Sequence, residues 1–310
     1  MSRLQANLLL LVVSLIWGTT FVVQKNLEGV GAITFTGLRF LLGTLAISPL
    51  VYREYKKRQR AIQLSAQPNT YLYKKNDFFQ LAMLGVFLFV AALLQQVGIA
   101  STSVTNAGFL TGFYVPMVPL LSWLILRQRP HWSVWPLSIG CVIGIGLLSG
   151  IDSLTFGSGD SWVLASCPFW ALQIVFVGRI AERLNSPFLV AFSQFFVAGA
   201  LGLVWGLIKE PFSLAGMEQA SAAILYAGLI SVGIAYTGQV IAQRYTQAAD
   251  AAIVMSSETL FASFFGFLLL GEILDFEGIL GCILILLCIV LIQLLPLFSN
   301  RKIPSNVLDG

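Results

Sequence analysis

Glu258 lies about nine residues or more inside either edge of the apolar run 249–270, deep in any bilayer that run would cross. An ionised carboxylate at such depth costs about 2.5–3.5 kcal/mol on insertion scales, so it must face a cavity, be paired or be protonated. Two roles stay open: a substrate or proton site, and a structural hydrogen bond. Sliding the sequence by 144 positions lays Tyr114 on Glu258, Gln95 on Gln239, Thr102 on Thr246 and Asn106 on Asp250. Gln95 and Gln239 carry amides that either join helix to helix or grip a polar solute. Arg39 is the one basic residue well inside an apolar run. It sits ~9 Å from the edge of that run at 1.5 Å per residue. It either pairs with Glu258 or, the arrangement expected here, snorkels onto backbone carbonyls. Trp17 and Trp170 hold similar places in the two halves, as core packing, interfacial belt or cavity wall.

The run 102–126 contains Pro116 and Pro119, which cannot donate to the carbonyls of Gly112 and Val115. Freed backbone at membrane depth persists only beside protein or a watery cavity. The helix is therefore either broken and lining a path, or kinked and repaired by neighbouring side chains. Its counterpart in the second half carries Met255, Ser256, Ser257, Glu258 and Thr259 instead of prolines.

The elements that must position these groups are membrane spans. Of 310 residues 57% are hydrophobic and 10% charged, with a mean hydropathy of +0.85, which excludes a soluble globular domain. Ten apolar runs are candidates: 7–24, 33–52, 77–98, 102–126, 132–150, 161–178, 187–208, 219–241, 249–270 and 278–298. The ten-residue alternating segments of a β-barrel are absent. An all-α integral membrane protein of ten helices is expected. Alternating the sides puts fifteen Lys and Arg residues on the side of the N-terminus and only Lys25 and Lys209 on the other. Both termini are then cytoplasmic. The net charge of +4 follows from this bias and does not point to nucleic acid.

Residues 1–150 form a first five-helix repeat, 151–160 an external linker, 161–298 a second repeat and 299–310 a cytoplasmic tail. Five spans are an odd number, so the two copies enter the membrane from opposite sides, a signature of many secondary transporters. The long loop Arg53–Asn76 is polar and cytoplasmic. The loop Gly271–Glu277 places acids where they cap the last helix. Gly140, Gly144, Gly146 and Gly150 allow close helix contact, within the molecule or in a homodimer. No small-x-small cleavage site follows Trp17–Thr20, so an uncleaved first helix is expected. Cys141, Cys167, Cys282 and Cys288 fall inside apolar runs without CxxC spacing and read as core residues, neither disulfide framework nor metal site. There is no GxxxxGK[ST], HExxH or GxSxG, hence no sign of an ATPase or hydrolase, and no cofactor is expected.

The stretches Ser14–Thr19 (SLIWGT), Gly37–Leu42 (GLRFLL), Asn106–Leu121 (NAGFLTGFYVPMVPLL) and Ser257–Glu272 (SETLFASFFGFLLLGE) resemble the EamA-type drug/metabolite transporter superfamily. The resemblance covers nearly the whole chain. It implies ten helices in two inverted five-helix repeats, alternating access, and a central cavity lined by helices 1, 3, 4, 6, 8 and 9. Trp17, Gln95, Tyr114, Trp170, Gln239 and Glu258 would line it and bind substrate. Thr259 departs from the family pattern, which has a proline after the glutamate. Arg127–Arg129 departs again, where Gly271 and Glu272 close the second half. The expected function is secondary export of small metabolites such as amino acids from the bacterial inner membrane, with protons as coupling ion through Glu258. Exchange of phosphorylated or nucleotide sugars is the alternative. It wants several mid-membrane bases, and only Arg39 qualifies. A membrane enzyme or scaffold is the reading from another class.

Overall fold

Ser2 starts the first helix with a capping box. Its hydroxyl accepts from Gln5 N at 3.3 Å, and Gln5 Oε1 accepts from Ser2 N at 2.8 Å. Both satisfy amides that the first helical turn leaves without partners. In the computed structural model, which describes residues 1–64, 73–102, 104–149, 157–211, 213–270 and 275–298, this helix is α1, Arg3–Lys25. Leu4, Leu8, Val12 and Leu15 point outward while Ala6, Leu10, Val13 and Ser14 are buried. Both faces recur at helical spacing and the outer one is apolar, the reverse of a water-facing helix.

The remaining helices are α2 (Ala32–Leu64), α3 (Lys75–Ser101), α4 (Val104–Thr111), α5 (Tyr114–Leu126) and α6 (Val134–Ser149) in the first half. The second half has α7 (Ser158–Leu184), α8 (Pro187–Lys209), the short α9 (Leu214–Gln219) and α10 (Ser221–Leu225). A π-helical segment, Tyr226–Tyr236, follows, then α11 (Thr237–Ala242), α12 (Ala248–Met255), α13 (Ser257–Leu270) and α14 (Phe276–Phe298). Every regular element among the described residues is helical.

Among the described residues eight helical stretches, the broken ones counted whole, are long and apolar enough to cross a membrane. The other two expected spans are shorter apolar helices, Val134–Leu147 and Phe276–Ile292. At 16 residues α6 is about 24 Å long, less than a 30 Å hydrocarbon core. The second half begins earlier than read from hydropathy. Asp160 turns back to accept from Gly157 N at 2.7 Å, so α7 starts at Ser158 inside the expected linker. Residues 65–72, 103, 150–156, 212, 271–274 and 299–310, Gly150 of the glycine pattern among them, and the side chain of Asn106, lie outside the described residues. Of the acids expected to cap the last helix, Asp275 does so, accepting from Gly278 N at 2.7 Å.

The halves pack by exchange of equivalent helices. The first half's α3 lies against α7, and its counterpart, the π segment with α11, lies against α1. Likewise α1 meets α13, and α7 meets α4 and α5. On the symmetry axis α2 crosses α8. A Cβ at Gly37 would lie 2.3 Å from Leu203 N, and one at Gly202 would lie 2.7 Å from Gly37 Cα, so the backbones touch. Gly206 meets Thr34 and Gly199 meets Leu41, so these two equivalent helices run antiparallel. That is an inverted repeat. Gly140 and Gly144 serve the contact between α6 and α14, facing Cys288 and Ile285 within the molecule.

Polar clusters close the two ends. At one end Arg3 pairs with Asp250 at 2.9 Å, and Arg183 with Asp77 at 2.7 Å. At the other, Lys25 donates to the carbonyls of Ile99 and Thr102 at 3.2 and 2.7 Å. Glu210 there accepts from Ile33 N and Thr34 N at 2.9 and 2.8 Å. Each cluster joins only residues that the charge bias assigns to one side.

Candidate functional site

The helix of residues 104–126 is broken, and the break lies at Gly112 and Phe113, between α4 and α5. Pro116 has no N–H for the Gly112 carbonyl, which accepts from Val115 N at 3.0 Å instead. Pro119 sits inside α5 without ending it. The 144-position register lays Gly112 on Ser256, and there the second half breaks too, between α12 and α13. No proline makes this break. Ser256 and Ser257 turn their hydroxyls back onto the carbonyls of Ile253 and Val254 at 2.7 and 2.8 Å. Such back-bonding competes with the helix ladder.

Each break is held by the other half. Ser14 on α1 donates to the Met255 carbonyl at 3.3 Å, and Cys167 on α7 donates to the Leu110 carbonyl at 3.1 Å. The register that superposes Trp17 on Trp170 also superposes Ser14 on Cys167. One clip is thus used twice, once with an oxygen and once with a sulfur.

Between the breaks lies a cavity with about 500 Å³ of atom-free space, its open mouth included. Trp17, Gln95, Tyr114, Trp170, Gln239 and Glu258, the six residues expected around a central cavity, all line it, and so does Arg39. Gln95 donates to Thr111 Oγ1 at 3.1 Å, which ties α3 to α4. Gln239 donates to Gln173 Oε1 at 3.2 Å, and Gln173 donates to Gln194 Oε1 at 3.1 Å. The amides therefore join helices while bordering the cavity.

Arg39 does not snorkel onto carbonyls. Its guanidinium lies 5.4 and 5.1 Å from the ring centroids of Phe35 and Phe40, and the side chain is buried. Aromatic faces attract the cation and hold it at depth. Among the described residues no ion pair joins Arg39 to Glu258. Among the described residues three buried polar atoms of the cavity lining have no hydrogen-bond partner: Arg39 Nε, Trp17 Nε1 and Trp170 Nε1. All three are donors.

Sequence reasoning missed Tyr236, which closes the aromatic wall. Its ring lies 4.7 Å from Trp17, stacks 6.1 Å from Trp170 at 16°, and touches Phe40 and Phe195 at 5.9 and 6.1 Å. Hydropathy could not reveal it, because Tyr236 ends a π segment whose extra residue per turn changes which side chains face inward. A signal was present in the repeat itself, where the 144-position register lays Tyr236 on the small Ala92.

Two stretches, residues 4–150 and 157–294, match the EamA-like transporter family. The chain belongs to that family. The two matches fall on the two inverted halves, one copy each. Among similar proteins, an uncharacterized transporter of Archaeoglobus fulgidus is 28% identical over 94% of this chain and 87% of its own length. The uncharacterized transporter YoaV of Bacillus subtilis is 25% identical over 94% of this chain and 97% of its own. A Chlamydia trachomatis S-adenosylmethionine/S-adenosylhomocysteine transporter is 25% identical over 83% of this chain and 79% of its own. A solved crystal structure shares the fold with a TM-score of 0.73 over 97% of this chain and 100% of its own, at 16% identity. The chain is accordingly a multi-pass membrane transporter of small molecules.

The departure from the EamA pattern at Thr259 has a structural consequence. Thr259 N donates to the Ser256 carbonyl at 3.2 Å and closes the turn at the break, a bond that a proline could not make. Here the break is built by serines and a backbone amide, whereas in the first half a proline builds it.

Proposed function

We propose that this transporter exports small polar or amphipathic metabolites, amino acids above all, across the bacterial inner membrane by alternating access. The observation that carries the reading is the cavity at the seam of the inverted repeats, where both broken helices meet. Its wall combines one acid, one base, three amides (Gln24, Gln95 and Gln239) and an aromatic cluster. Few convergent polar groups on an apolar wall suit a small amphipathic solute. Broken helices at the interface of inverted repeats are where secondary transporters hold their substrates. The six lining residues named from the sequence are the substrate contacts in this reading.

Reconstitution into liposomes, with labelled amino acids and nucleobases supplied in turn, tests it. Saturable flux of at least one is expected. Its absence for every small metabolite would sink the export reading.

Glu258 is the coupling residue in this reading, trading a proton for solute. Glu258→Gln, which mimics the protonated acid, should abolish export driven by a pH gradient while sparing exchange down a substrate gradient. Unchanged pH dependence would leave Glu258 a hydrogen-bonding residue only. A second reading takes its support from the aromatic wall and from the Chlamydia relative. S-adenosylmethionine is itself an amino acid, with a sulfonium and a purine that aromatic rings attract. It belongs in the same screen. Phosphorylated or nucleotide sugars fit less well, because among the described residues Arg39 is the only base lining the cavity.

A further inference from the structure

A guanidinium inside a membrane protein is tolerated when something neutralises or binds it. Arg39 is 3% exposed and has no carboxylate within salt-bridge distance among the described residues. Phe35 and Phe40 hold its charge at ring distance, but rings accept no directional N–H bond of full strength. The guanidinium keeps five N–H donors in a planar fork that matches a carboxylate. Two more donors lack partners, the indole N–H groups of Trp17 and Trp170. A buried donor without an acceptor costs about 1–3 kcal/mol, so three of them in residues around one cavity describe a missing acceptor. Among the described residues none of the enclosed orphaned atoms of the lining is an acceptor, and the one lining carboxylate, Glu258, makes no ion pair with Arg39. The missing group is therefore electron-rich, and beside a guanidinium it is an anion.

We propose that Arg39, assisted by Trp17 and Trp170, forms a subsite for the carboxylate of the transported molecule. The proposal rests on the transport reading above and deepens it: the substrate is a carboxylic acid whose apolar part lies against the Trp17, Trp170 and Tyr236 rings. Arg39 arrives pre-positioned, since Phe35 and Phe40 fix the guanidinium before substrate binds. Little of the binding energy is then spent on ordering that side chain.

The test compares acid and amide. The purified full-length chain in lipid nanodiscs is titrated with L-phenylalanine and L-phenylalaninamide, then with L-methionine and L-methioninamide. Calorimetry and the fluorescence of the lining tryptophans both report binding. Each acid should bind about 10- to 100-fold more tightly than its amide, as removal of a charge-assisted hydrogen bond predicts. Arg39→Gln should erase the acid's advantage and leave amide binding within a few-fold of wild type. Arg39→Lys should restore part of it, since a point charge replaces the planar fork. A purely structural Arg39 would weaken acid and amide alike. The wild-type comparison stands even where the variants fail to fold. Equal affinity for acid and amide, or binding of neither, overturns the subsite. The source of the anion is separated by repeating the titration in methanesulfonate, with chloride or inorganic phosphate added back. If either ion alone reproduces the fluorescence change and the acids do not, the subsite serves an inorganic ion and the proposal fails. Flux of some metabolite with equal acid and amide affinity refutes the subsite and leaves the transport reading standing. Absence of all flux refutes the transport reading instead.

Discussion

Replacing Ser14 by Ala removes the clip that α1 places on the broken helix of the second half. The Ser14 hydroxyl bonds the Leu10 carbonyl at 2.9 Å and the Met255 carbonyl at 3.3 Å. Leu10 O keeps its place in the α1 ladder, so its loss is small. Met255 O is different. The amide that would reach it in a continuous helix, Thr259 N, bonds Ser256 O at 3.2 Å instead. Without Ser14 this carbonyl loses the one bond that reaches it from α1. An unsatisfied buried acceptor costs about 1–3 kcal/mol in water-soluble proteins. Hydrogen bonds between membrane helices are worth about 0.6 kcal/mol on average and reach about 1.7. The expected loss is therefore about 1 kcal/mol, a fall of roughly 2 °C in Tm for a chain of this size. Ser14→Cys installs the residue that the first half's clip uses, and a thiol is a weak donor, so it should recover about half of the loss. Thermal unfolding followed by tryptophan fluorescence in detergent measures all three proteins. Ser14→Ala with wild-type Tm and wild-type transport would refute the clip. So would Ser14→Cys less stable than Ser14→Ala.

Gly37→Ala should lower stability by about 1–3 kcal/mol, because its Cβ would meet Leu203 N at 2.3 Å and backbone cannot rotate away. The check is Tm in detergent, where an unchanged value would show that α2 and α8 do not touch there. Gln173→Leu strands the amides of Gln239 and Gln194 and should cost about 1–2 kcal/mol. The double variant with Gln239→Leu should lose less than the sum of the singles, and strict additivity would deny the pairing. Tyr236→Ala removes the ring that joins Trp17 to Trp170 and should cost about 3–5 kcal/mol. It should also admit bulkier solutes, read as a broader substrate range in liposomes, and Tyr236→Phe should keep the wild-type range.

Hydropathy and the polar register made the helical class, the two halves and the lining residues legible. Spanning helices carry their own backbone hydrogen bonds, so each announces itself in a local window of sequence. Rarity of polar groups at depth and the doubled signal of the repeat singled out Gln95 with Gln239 and Tyr114 with Glu258, while the EamA resemblance implied that Trp17 and Trp170 join them around one cavity. What stayed hidden depends on contacts between distant segments. Prolines foretold the break at Gly112, but nothing local in Ser256 and Ser257 distinguishes a break from two serines bonded back along an intact helix. The difference is Ser14, more than two hundred residues away. Arg39 was misplaced for the same reason. Its length fits snorkelling, yet Phe35 and Phe40 on its own helix hold it, and ring-held depth cannot be told from the chemical type of one residue. The π segment left no trace, since Tyr226–Tyr236 has the apolar content of any span and only its hydrogen bonds differ.

The differences between the halves matter as much as their likeness. A transporter built from two identical inverted repeats would have inward-open and outward-open states related by its axis, hence equal in energy. Any preference between them must come from positions where the halves differ. In this chain those positions gather at the cavity: Glu258 stands against Tyr114, Tyr236 against Ala92, Ser256 against Gly112, and a π segment against the regular helix α3. Elsewhere the symmetry is kept, with Ser14 answering Cys167 and, in the cavity wall itself, Trp17 answering Trp170. A ligand shifts such an equilibrium only through its unequal contacts with the two states. The unequal contacts available here are made by Glu258 and Tyr236, both in the second half. The first half contributes Arg39, held by its rings in a fixed place. Under the proposed carboxylate subsite, a substrate anchored there meets a second half that differs from its partner in charge, in bulk and in helix type. In the proposed alternating-access cycle, a preferred direction comes from the side chains where the repeat fails to repeat.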